Sequence, residues 1–230
     1  MKKVHLILAD ASLELVPPEI WSHPAVLQSA RRRKKRPGET LLDKSLHYSA
    51  MKALKDKEKR GRPDIIHVSL LVSQSSVLNM ERVLETIIHT VEGKVIEVNP
   101  ATRIPRNYNR FVGLMEQLLI AGKVPPSSAT PLMRVLEADL NRVIEERKID
   151  FVALLSEKGD PTTPRKIAER LKGYENPAFI VGAFPHGDFS EEIYSMADGE
   201  FSLGSKTLDA WYVVARIITS LEDVLNLWRD

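Results

Sequence analysis

Cysteine is absent from all 230 residues of the chain. This excludes disulfide bonds, catalytic thiolates and cysteine metal sites. The six histidines show no close metal-ligand spacing, so we expect no zinc site and no other metal. A Gly-x-Gly-x-x-Gly fingerprint and a Walker phosphate-binding loop are also missing, which argues against those two classes of nucleotide site.

Long apolar runs are missing too. No segment reaches the length that a membrane span requires. The short apolar run near the N-terminus is followed at once by an acid and has no cleavage-site pattern, so we interpret it as a buried strand. We therefore expect no membrane partner and a cytoplasmic location.

Positive charge is concentrated in one part of the chain. Residues 31–62 contain thirteen Lys or Arg against four acids, although the whole chain carries only +2. Such a concentration is typical of a surface that binds a polyanion, and a solvated charge run is the ordinary alternative. The densest part is a run of six cations that we expect to contribute to RNA binding: Arg31, Arg32, Arg33, Lys34, Lys35 and Arg36.

A decapeptide at 102–111 favours RNA as the polyanion. It places Arg103, Arg106 and Arg110 within eight residues, with no acid among them. A planar guanidinium group binds phosphate oxygens in pairs. Tyr108 and Phe111 offer flat rings on which bases could stack. The combination predicts binding of a looped or folded RNA, against the alternative of a solvated basic loop before a helix.

Short apolar runs alternate with helical patterns along the chain. Strands are predicted at Val4–Ala9, Ile65–Val72, Lys94–Val98, Phe151–Leu155, Ala178–Gly182 and Glu200–Leu203. Helical spacing connects apolar residues over 133–144 and 208–225, and Thr163 before Pro164 predicts a helix start. The alternation is typical of an α/β fold with a largely parallel sheet. No linker divides the chain, so we expect one domain, 1–230, with a basic insertion at about 29–62.

Three stretches beside predicted strand ends are candidate ligand loops: 154–159, 181–188 and 201–208. Open α/β sheets bind ligands at the carboxyl ends of their strands. Gly182 and Gly187 would let the backbone approach a ligand closely. The loops carry few charges, which suits a neutral ring and a ribose better than a triphosphate. Each of them, taken alone, is also compatible with a plain turn.

Four stretches together resemble a known family: 19–26, 61–65, the decapeptide with 113–118, and 181–188. The chain resembles the SPOUT-class methyltransferases of ribosome biogenesis, which methylate N1 of a pseudouridine in small-subunit ribosomal RNA. The resemblance implies S-adenosylmethionine as the cofactor, a homodimer, and contacts with ribosomal proteins or assembly factors. It also implies helices on both faces of the sheet and a C-terminal trefoil knot, at about 150–230, that forms the cofactor pocket.

Site residues follow from the resemblance by position. Those implied for the cofactor are Leu155, Ser156, Gly182, Ala183, Gly187, Leu203, Gly204, Ser205, Lys206, Thr207 and Leu208. The loop at 204–208 varies among such enzymes, so its backbone carries this expectation more than its side chains. Those implied for RNA are Arg62, Arg103, Arg106 and Arg110, and the stacking argument adds Tyr108. Trp211 and Tyr212, on the last helix, would face a partner subunit.

Pseudouridine itself explains the specificity of the implied reaction. Its ribose is attached through C5, so N1 carries a hydrogen, whereas the glycosidic bond of uridine occupies N1. The enzyme must align N1 with the methyl group and stabilise charge that develops on the ring. Arg62 and Arg106 are candidates for that stabilisation. Asp64 is a candidate general base or, across an extended Arg62–Asp64 segment, the partner that orients Arg62. We favour orientation, because a carboxylate paired with arginine is a poorer base.

Two alternatives to this function stay open. A non-catalytic RNA-binding assembly factor would need the arginines but not the cofactor loops. A SPOUT methyltransferase acting on tRNA would share the cofactor loops, but the 29–62 segment and the decapeptide argue against it.

Overall fold

The computed structural model describes residues 1–228 of the chain, in which strands and helices alternate. The strands are β1 (Val4–Ala11), β2 (Leu84–Thr90), β3 (Val95–Val98), β4 (Lys123–Val124), β5 (Met133–Val135), β6 (Phe151–Pro161), β7 (Pro177–Gly182) and β8 (Gly199–Ser202). The α-helices are α1 (Pro24–Arg32), α2 (Lys44–Met51), α3 (Pro63–Gln74), α4 (Val77–Met80), α5 (Tyr108–Ala121), α6 (Leu140–Glu146), α7 (Pro164–Lys172), α8 (Glu191–Ser195) and α9 (Ala210–Val224).

Within the described residues, all eight strands join one sheet in the order β4-β5-β3-β2-β1-β7-β6-β8. The five strands from β2 to β8 along this order pair in parallel. The pairings of β2 with β3, β3 with β5, and β4 with β5 are antiparallel. The prediction of an α/β fold with a largely parallel sheet is therefore confirmed. The carboxyl ends of the parallel strands meet at one edge, where such sheets bind ligands.

Strand β1 shows why the core has two halves. Its eight residues are all buried. Leu6 and Leu8 pack on the side covered by α3, α5, α7 and α9, whereas Ile7 and Ala9 pack on the side covered by α6 and α8. Helices thus cover both faces of the sheet, as expected. Because both faces are covered, β1 has a nearly continuous apolar sequence rather than an alternating one.

One predicted strand is wrong. Residues Ile65–Val72 belong to helix α3. Pro63 at its first position and Asp64 in its first turn both favour a helix start. Most of the circumference of α3 is buried, so its apolar run resembles that of a buried strand, and periodicity alone cannot separate the two.

The helical spacing over 133–144 is only partly right. Residues Met133–Val135 form strand β5, and α6 begins at Leu140, where the side chain of Asp139 caps it. Strand β2 was not predicted at all. The other five predicted strands are confirmed as β1, β3, β6, β7 and β8, and Thr163 caps α7 ahead of Pro164 as predicted.

Strand β6 runs further than predicted, to Pro161. Its pairing with β8 is interrupted between Leu155 and Asp160, so the intervening residues leave the ladder. The stretch 154–159 is therefore not a loop that follows a strand: Leu154 and Leu155 are paired within β6, and 156–159 are its irregular part. No helix among residues 1–228 is long and apolar enough to cross a membrane.

The basic segment 29–62 folds as helices and turns beside the sheet and packs with the stretch before it. A small apolar cluster holds these elements together: Val16, Ile20, Val26, Leu42, Ala50, Met51 and Leu54. Arg60 donates from Nε and Nη2 to the buried carboxylate of Glu14, at 2.8 and 2.5 Å. Leu15 and Leu41 form an isolated bridge between the two stretches. The segment is thereby fixed to the chain that follows β1.

Three buried histidines make the fold sensitive to acid. His5, on β1, is 2% exposed, and neither of its ring nitrogens has a hydrogen-bond partner among the described residues. Burial lowers the pKa of His5 to about 4, against the opposing charge of Glu85. Burial also lowers the pKa of His47 and of His89. All three histidines are thus neutral in the folded protein at neutral pH.

We expect the free energy of unfolding to decrease as the pH falls from about 6.5 towards 4. In that pH window the histidines become protonated in the unfolded chain but stay neutral in the folded protein, which favours the unfolded state. His5→Leu should remove on the order of 1–3 kcal/mol of this decrease, whereas His186→Leu, at an exposed histidine, should not. Urea denaturation at pH 7 and pH 5 measures the difference, and equal pH dependence in His5→Leu and the wild type would contradict it.

Candidate functional site

A cavity of about 640 Å³ opens at the carboxyl ends of β6, β7 and β8. Most of the lining residues come from three stretches of chain: 155–158 in β6, 181–189 at the end of β7 and in the loop after it, and 201–213 from the end of β8 into α9. Arg62 and Ile65, at the start of α3, complete the wall. The cavity therefore joins all three candidate ligand loops to the segment that carries Arg62.

Nine of the eleven residues expected at a cofactor site line this cavity: Leu155, Ser156, Gly182, Gly187, Leu203, Gly204, Lys206, Thr207 and Leu208. Ala183 is not among them. It is fully buried, and its backbone exchanges 2.9 Å hydrogen bonds with the carbonyl of Ala9 and the N–H of Ser12. Ser205 also lies outside the lining, with its side chain exposed. Ala183 thus fixes the backbone between the lining residues Gly182 and Phe184, and Ser205 does not contribute to the wall.

Two glycines shape the wall for different reasons. A Cβ on Gly182 would lie 2.9 Å from a ring carbon of Phe184 and 3.1 Å from one of Phe189, so a side chain there would displace the aromatic wall. Gly204 adopts a φ of +119°, which side chains disfavour, although nothing within 4 Å would obstruct a Cβ. The first glycine makes room for packing, and the second allows a backbone turn.

An anionic group that the residue-level predictions missed lies in the wall. The Asp188 carboxylate accepts hydrogen bonds from the Tyr194 hydroxyl at 2.5 Å and the Phe189 N–H at 2.9 Å, and it pairs with Lys158. Burial pushes the pKa of Asp188 up, but these hydrogen bonds outweigh burial and hold it below its ordinary value. The wall thus presents a carboxylate that can accept hydrogen bonds from ligand hydroxyl or amino groups.

Arg62 and Asp64 form a two-point pair at the mouth of the cavity. Arg62 donates from Nε and Nη2 to the two carboxylate oxygens of Asp64, both at 2.7 Å. The pairing agrees with an orienting role, but the extended segment expected between them is wrong, because Pro63 and Asp64 are the first residues of α3. The hydrogen bond to Asp64 raises the pKa of Arg62. The guanidinium is therefore a fixed cation, with 37% of its side chain exposed.

The arginines of the decapeptide point outward from an anchored backbone. Arg103, Arg106 and Arg110 are all exposed. The Nε2 of His67, on α3, donates to the carbonyl of Pro105 at 2.7 Å, which fixes the segment beside the start of α3. The Asn107 side chain caps α5 by accepting from the N–H of Arg110 at 3.1 Å. The backbone that carries the three exposed arginines is thus fixed against α3.

The two aromatic residues of the decapeptide face the protein rather than a ligand. Phe111 is fully buried and stacks on His67, with ring centroids 4.4 Å apart, so the prediction that it stacks on a base is wrong. Tyr108 is half-buried, and its hydroxyl donates to Asp43 at 2.6 Å. These rings fix α5 against α3 and α2. Because Tyr108 is half-buried, only part of its ring is available for stacking on a base.

The basic run 31–36 is divided between anchors and free cations. Glu116, on α5, has a fully buried carboxylate that pairs with Arg33 and Lys35 and accepts from the N–H of Leu41 at 3.0 Å. Arg33 donates to both of its oxygens. The exposed members of the run are Arg31, Arg32, Lys34 and Arg36. Four of the six predicted cations thus face solvent, and two hold the run in place.

An exposed aromatic lies elsewhere on the basic segment. Tyr48, on α2, is 60% exposed, and the Nζ atoms of Lys44 and Lys52 lie 6.0 and 5.7 Å from its ring centroid. The three residues are spaced four apart, which places them on one face of a helix. The spacing of four is visible in the sequence and is the signal from which this exposed aromatic, which is absent from the predicted site residues, can be found.

Comparison with known proteins gives consistent matches over nearly the whole chain. The model of the EMG1/NEP1 methyltransferase family matches residues 6–222. "Ribosomal RNA small subunit methyltransferase Nep1" of Staphylothermus marinus is 52% identical over 224 residues, 97% of each chain. Its counterpart from Thermococcus kodakarensis is 45% identical over 97% of this chain and 100% of its own. The crystal structure of Archaeoglobus fulgidus Nep1 bound to S-adenosylhomocysteine has a TM-score of 0.86 at 41% identity, covering 98% of this chain and 100% of that one.

The buried carboxylate of Glu116 gives a prediction about stability. Glu116→Gln leaves Arg33 and Lys35 without their counter-charge, so we expect a loss on the order of 2–4 kcal/mol. Glu146→Gln is the matched control, because Glu146 pairs with Arg142 in an exposed helix-surface pair, and its loss should change the stability little. Urea denaturation of both variants measures the two losses. Equal losses would show that Glu116 does not anchor the basic run.

Proposed function

The chain belongs to the EMG1/NEP1 methyltransferase family, and from this membership we propose that it methylates N1 of a pseudouridine in a loop of small-subunit ribosomal RNA, with S-adenosylmethionine as methyl donor. The names of its relatives support the RNA substrate. The ligand of the A. fulgidus structure is the product that S-adenosylmethionine leaves after methyl transfer. The observation that carries the proposal is one cavity that contains both the expected cofactor loops and Arg62.

The residues of the cavity fit S-adenosylmethionine. A volume of about 640 Å³ is in the usual range for a small-molecule site. Aromatic rings of Phe184, Phe189 and Trp211 suit a neutral adenine, and the exposed backbone of the three loops supplies hydrogen-bonding groups. The Asp188 carboxylate can accept from ribose or amino groups and favours a cationic sulfonium. When bound, S-adenosylmethionine supplies an electrophilic methyl group.

The side chains at the cavity mouth would act on the uracil ring. Removing the N1 proton leaves negative charge on the ring, and the fixed cation of Arg62 lies where it can stabilise that charge. Arg106 is exposed and follows Pro105, whose carbonyl is fixed to α3, and it is a second candidate for this role. Both carboxylate oxygens of Asp64 already accept from Arg62. This geometry favours Asp64 as the residue that holds Arg62 in position over Asp64 as the general base.

The RNA would follow the exposed cations away from the cavity. Arg103, Arg106 and Arg110 would bind the backbone and bases next to the target, and the exposed members of the 31–36 run would add less specific attraction. Tyr48, between its two lysines, is better placed than Tyr108 to stack on a base. The RNA surface thus spans α2, the basic run and the start of α5.

The remaining parts of the proposal rest on the family resemblance. We propose a homodimer in which α9 contributes to the interface, because Tyr212 is 49% exposed and Trp228, beyond the helix, is 62% exposed. Trp211 lines the cavity instead. We also propose that 150–230 forms a trefoil knot around the cofactor cavity, and that the protein acts in the cytoplasm beside ribosomal proteins or assembly factors. A purely RNA-binding assembly factor would have no use for the cavity, which favours the enzyme.

A glycine pair tests the cofactor site. Gly204 and Gly93 both have positive φ, at +119° and +78°, and no atom lies within 4 Å of a Cβ on either. Alanine therefore introduces backbone strain without a clash at both, but only Gly204 lines the cavity. We expect Gly204→Ala to weaken S-adenosylhomocysteine binding about tenfold or more, and Gly93→Ala to leave it unchanged. Calorimetry in the presence of a chelator measures both affinities, and equal affinities in the two variants would remove Gly204 from the site.

Charge-matched arginine pairs test the RNA surface. Arg103→Ala/Arg106→Ala should weaken binding of the loop RNA at least about tenfold and spare S-adenosylhomocysteine binding. Arg142→Ala/Arg165→Ala removes the same charge from α6 and α7, where both arginines pair with glutamates, and should change little. Neutralising the exposed members of the 31–36 run should mainly flatten the salt dependence. RNA affinities measured from 50 to 300 mM salt quantify these effects. Equal losses of affinity in the two double variants would show that Arg103 and Arg106 are not part of a specific RNA-binding surface.

The reaction itself is tested on matched loops that contain uridine or pseudouridine. We expect methyl transfer only to pseudouridine, because only its N1 carries a hydrogen. Asp64→Asn should lower RNA affinity together with the single-turnover rate, because asparagine is a weaker partner for Arg62. A general base at Asp64 would give a different result: unchanged RNA affinity, a collapsed rate, and partial recovery at high pH. Equal methylation of the two loops would refute the proposed function.

A further inference from the structure

A strained, buried aspartate lies at the end of the central strand. Asp10 has a φ of +47° and is 4% exposed. Its Oδ2 accepts from the N–H of Ser190 at 2.7 Å and from the Nζ of Lys59 at 3.2 Å, and its Oδ1 accepts from the Ser190 hydroxyl at 3.2 Å. A left-handed conformation costs a non-glycine residue energy that such contacts must offset. Asp10 therefore holds the far end of the loop that follows β7, although it does not line the cavity.

Lys59 reaches the same loop from the basic segment. Its Nζ lies 4.7 Å from the centroid of the Phe184 ring, and its side-chain carbons lie 3.3 Å from where a Cβ on Gly187 would be. Phe184 and Gly187 both line the cavity, whereas Lys59 does not. With the ion pair to Asp10, Lys59 contacts this loop directly and also through the residue that anchors its end.

The chain beyond Lys59 leads directly to Arg62. Arg60 is held by the buried Glu14, and the N–H of Arg62 donates to the hydroxyl of Ser12 at 2.8 Å. Residues 59–62 are thus fixed to the stretch that follows β1. A contiguous path of contacts runs from the cavity loop through Asp10 and Lys59 to the start of α3. Contiguous packed contacts of this kind can transmit the position of one site to another.

We propose that Asp10 and Lys59 are positioning residues that couple occupancy of the cofactor cavity to the placement of Arg62, so that cofactor and RNA strengthen each other's binding. This inference rests on the proposed function. A cofactor that fixes the loop 184–190 also fixes Lys59 and, through it, the start of α3. RNA that then binds Arg62 loses less conformational entropy, because this part of the protein is already ordered. The effect is reciprocal: each ligand must tighten the other by the same factor, which for coupled sites is about 5- to 100-fold.

Two lysine variants separate this coupling from simple loss of charge. Lys59→Met keeps the apolar stem against the cavity loop and removes the ion pair with Asp10. Lys57→Met removes the same charge from an exposed lysine two residues away in the same 3-10 turn. The affinity of the protein for the uridine-containing loop would be measured with and without saturating S-adenosylhomocysteine. The reciprocal titration gives the same coupling factor independently.

The wild type and Lys57→Met should show the full coupling factor, and Lys59→Met should show a factor near one. Because Lys59→Met leaves the buried carboxylate of Asp10 without its cation, its melting temperature should also fall, so all affinities are measured well below that temperature. In turnover on the pseudouridine loop at saturating cofactor, Lys59→Met should raise the KM for RNA more than it lowers kcat. An unchanged coupling factor in Lys59→Met, or a wild-type factor of one in a protein that methylates pseudouridine, would overturn the coupling alone. A wild type that binds no loop RNA would overturn the coupling and the proposed function together.

Discussion

Parallel pairing of β1 with β7, β7 with β6 and β6 with β8 is the constraint on which the rest of the structure depends. Two adjacent parallel strands cannot be joined by a tight turn, so the chain between them must return to the opposite edge of the sheet. All the parallel strands therefore end at the same edge. The irregular stretch of β6 and the loops after β7 and β8 therefore meet in one cavity. The chain after β1 lies at that edge as well, and it carries the contacts that fix residues 59–62 and so place Arg62.

Buried carboxylates decide how much of the positive charge is available to RNA. Three buried carboxylates form ion pairs with cations of the segment: Glu116 with Arg33 and Lys35, Glu14 with Arg60, and Asp10 with Lys59. These carboxylates have less than a tenth of their side chains exposed, so each needs a cationic partner. Four of the thirteen cations between 31 and 62 are therefore structural. The charge of the segment therefore has two parts: one fixes the segment to the sheet that carries the cavity, and the exposed part is available for the proposed binding of RNA.

Local patterns in the sequence predict four of the five parallel strands, β1, β6, β7 and β8, because strands buried on both faces leave continuous apolar runs. Glycines that allow close approach of the backbone also mark the stretch after β7 that lines the cavity. The same reasoning misassigns α3, since a helix buried on most sides also leaves an apolar run. Local patterns do not predict contacts between residues that are distant in the sequence. Glu116 lies more than eighty residues from Arg33, and no local pattern pairs them. Phe111 also carries no sign that its ring would pack on His67 rather than face a base.

We propose that one cavity brings the methyl donor and the target base together beside Arg62. A bisubstrate probe tests it most directly: the loop RNA with N1 of its pseudouridine joined by a short alkyl tether to a nitrogen analogue of S-adenosylmethionine. If both halves occupy adjoining parts of one cavity, the probe should bind at least about a hundredfold more tightly than either half alone. Arg62→Ala should remove much of that gain. A probe that binds no more tightly than its better half would contradict the claim.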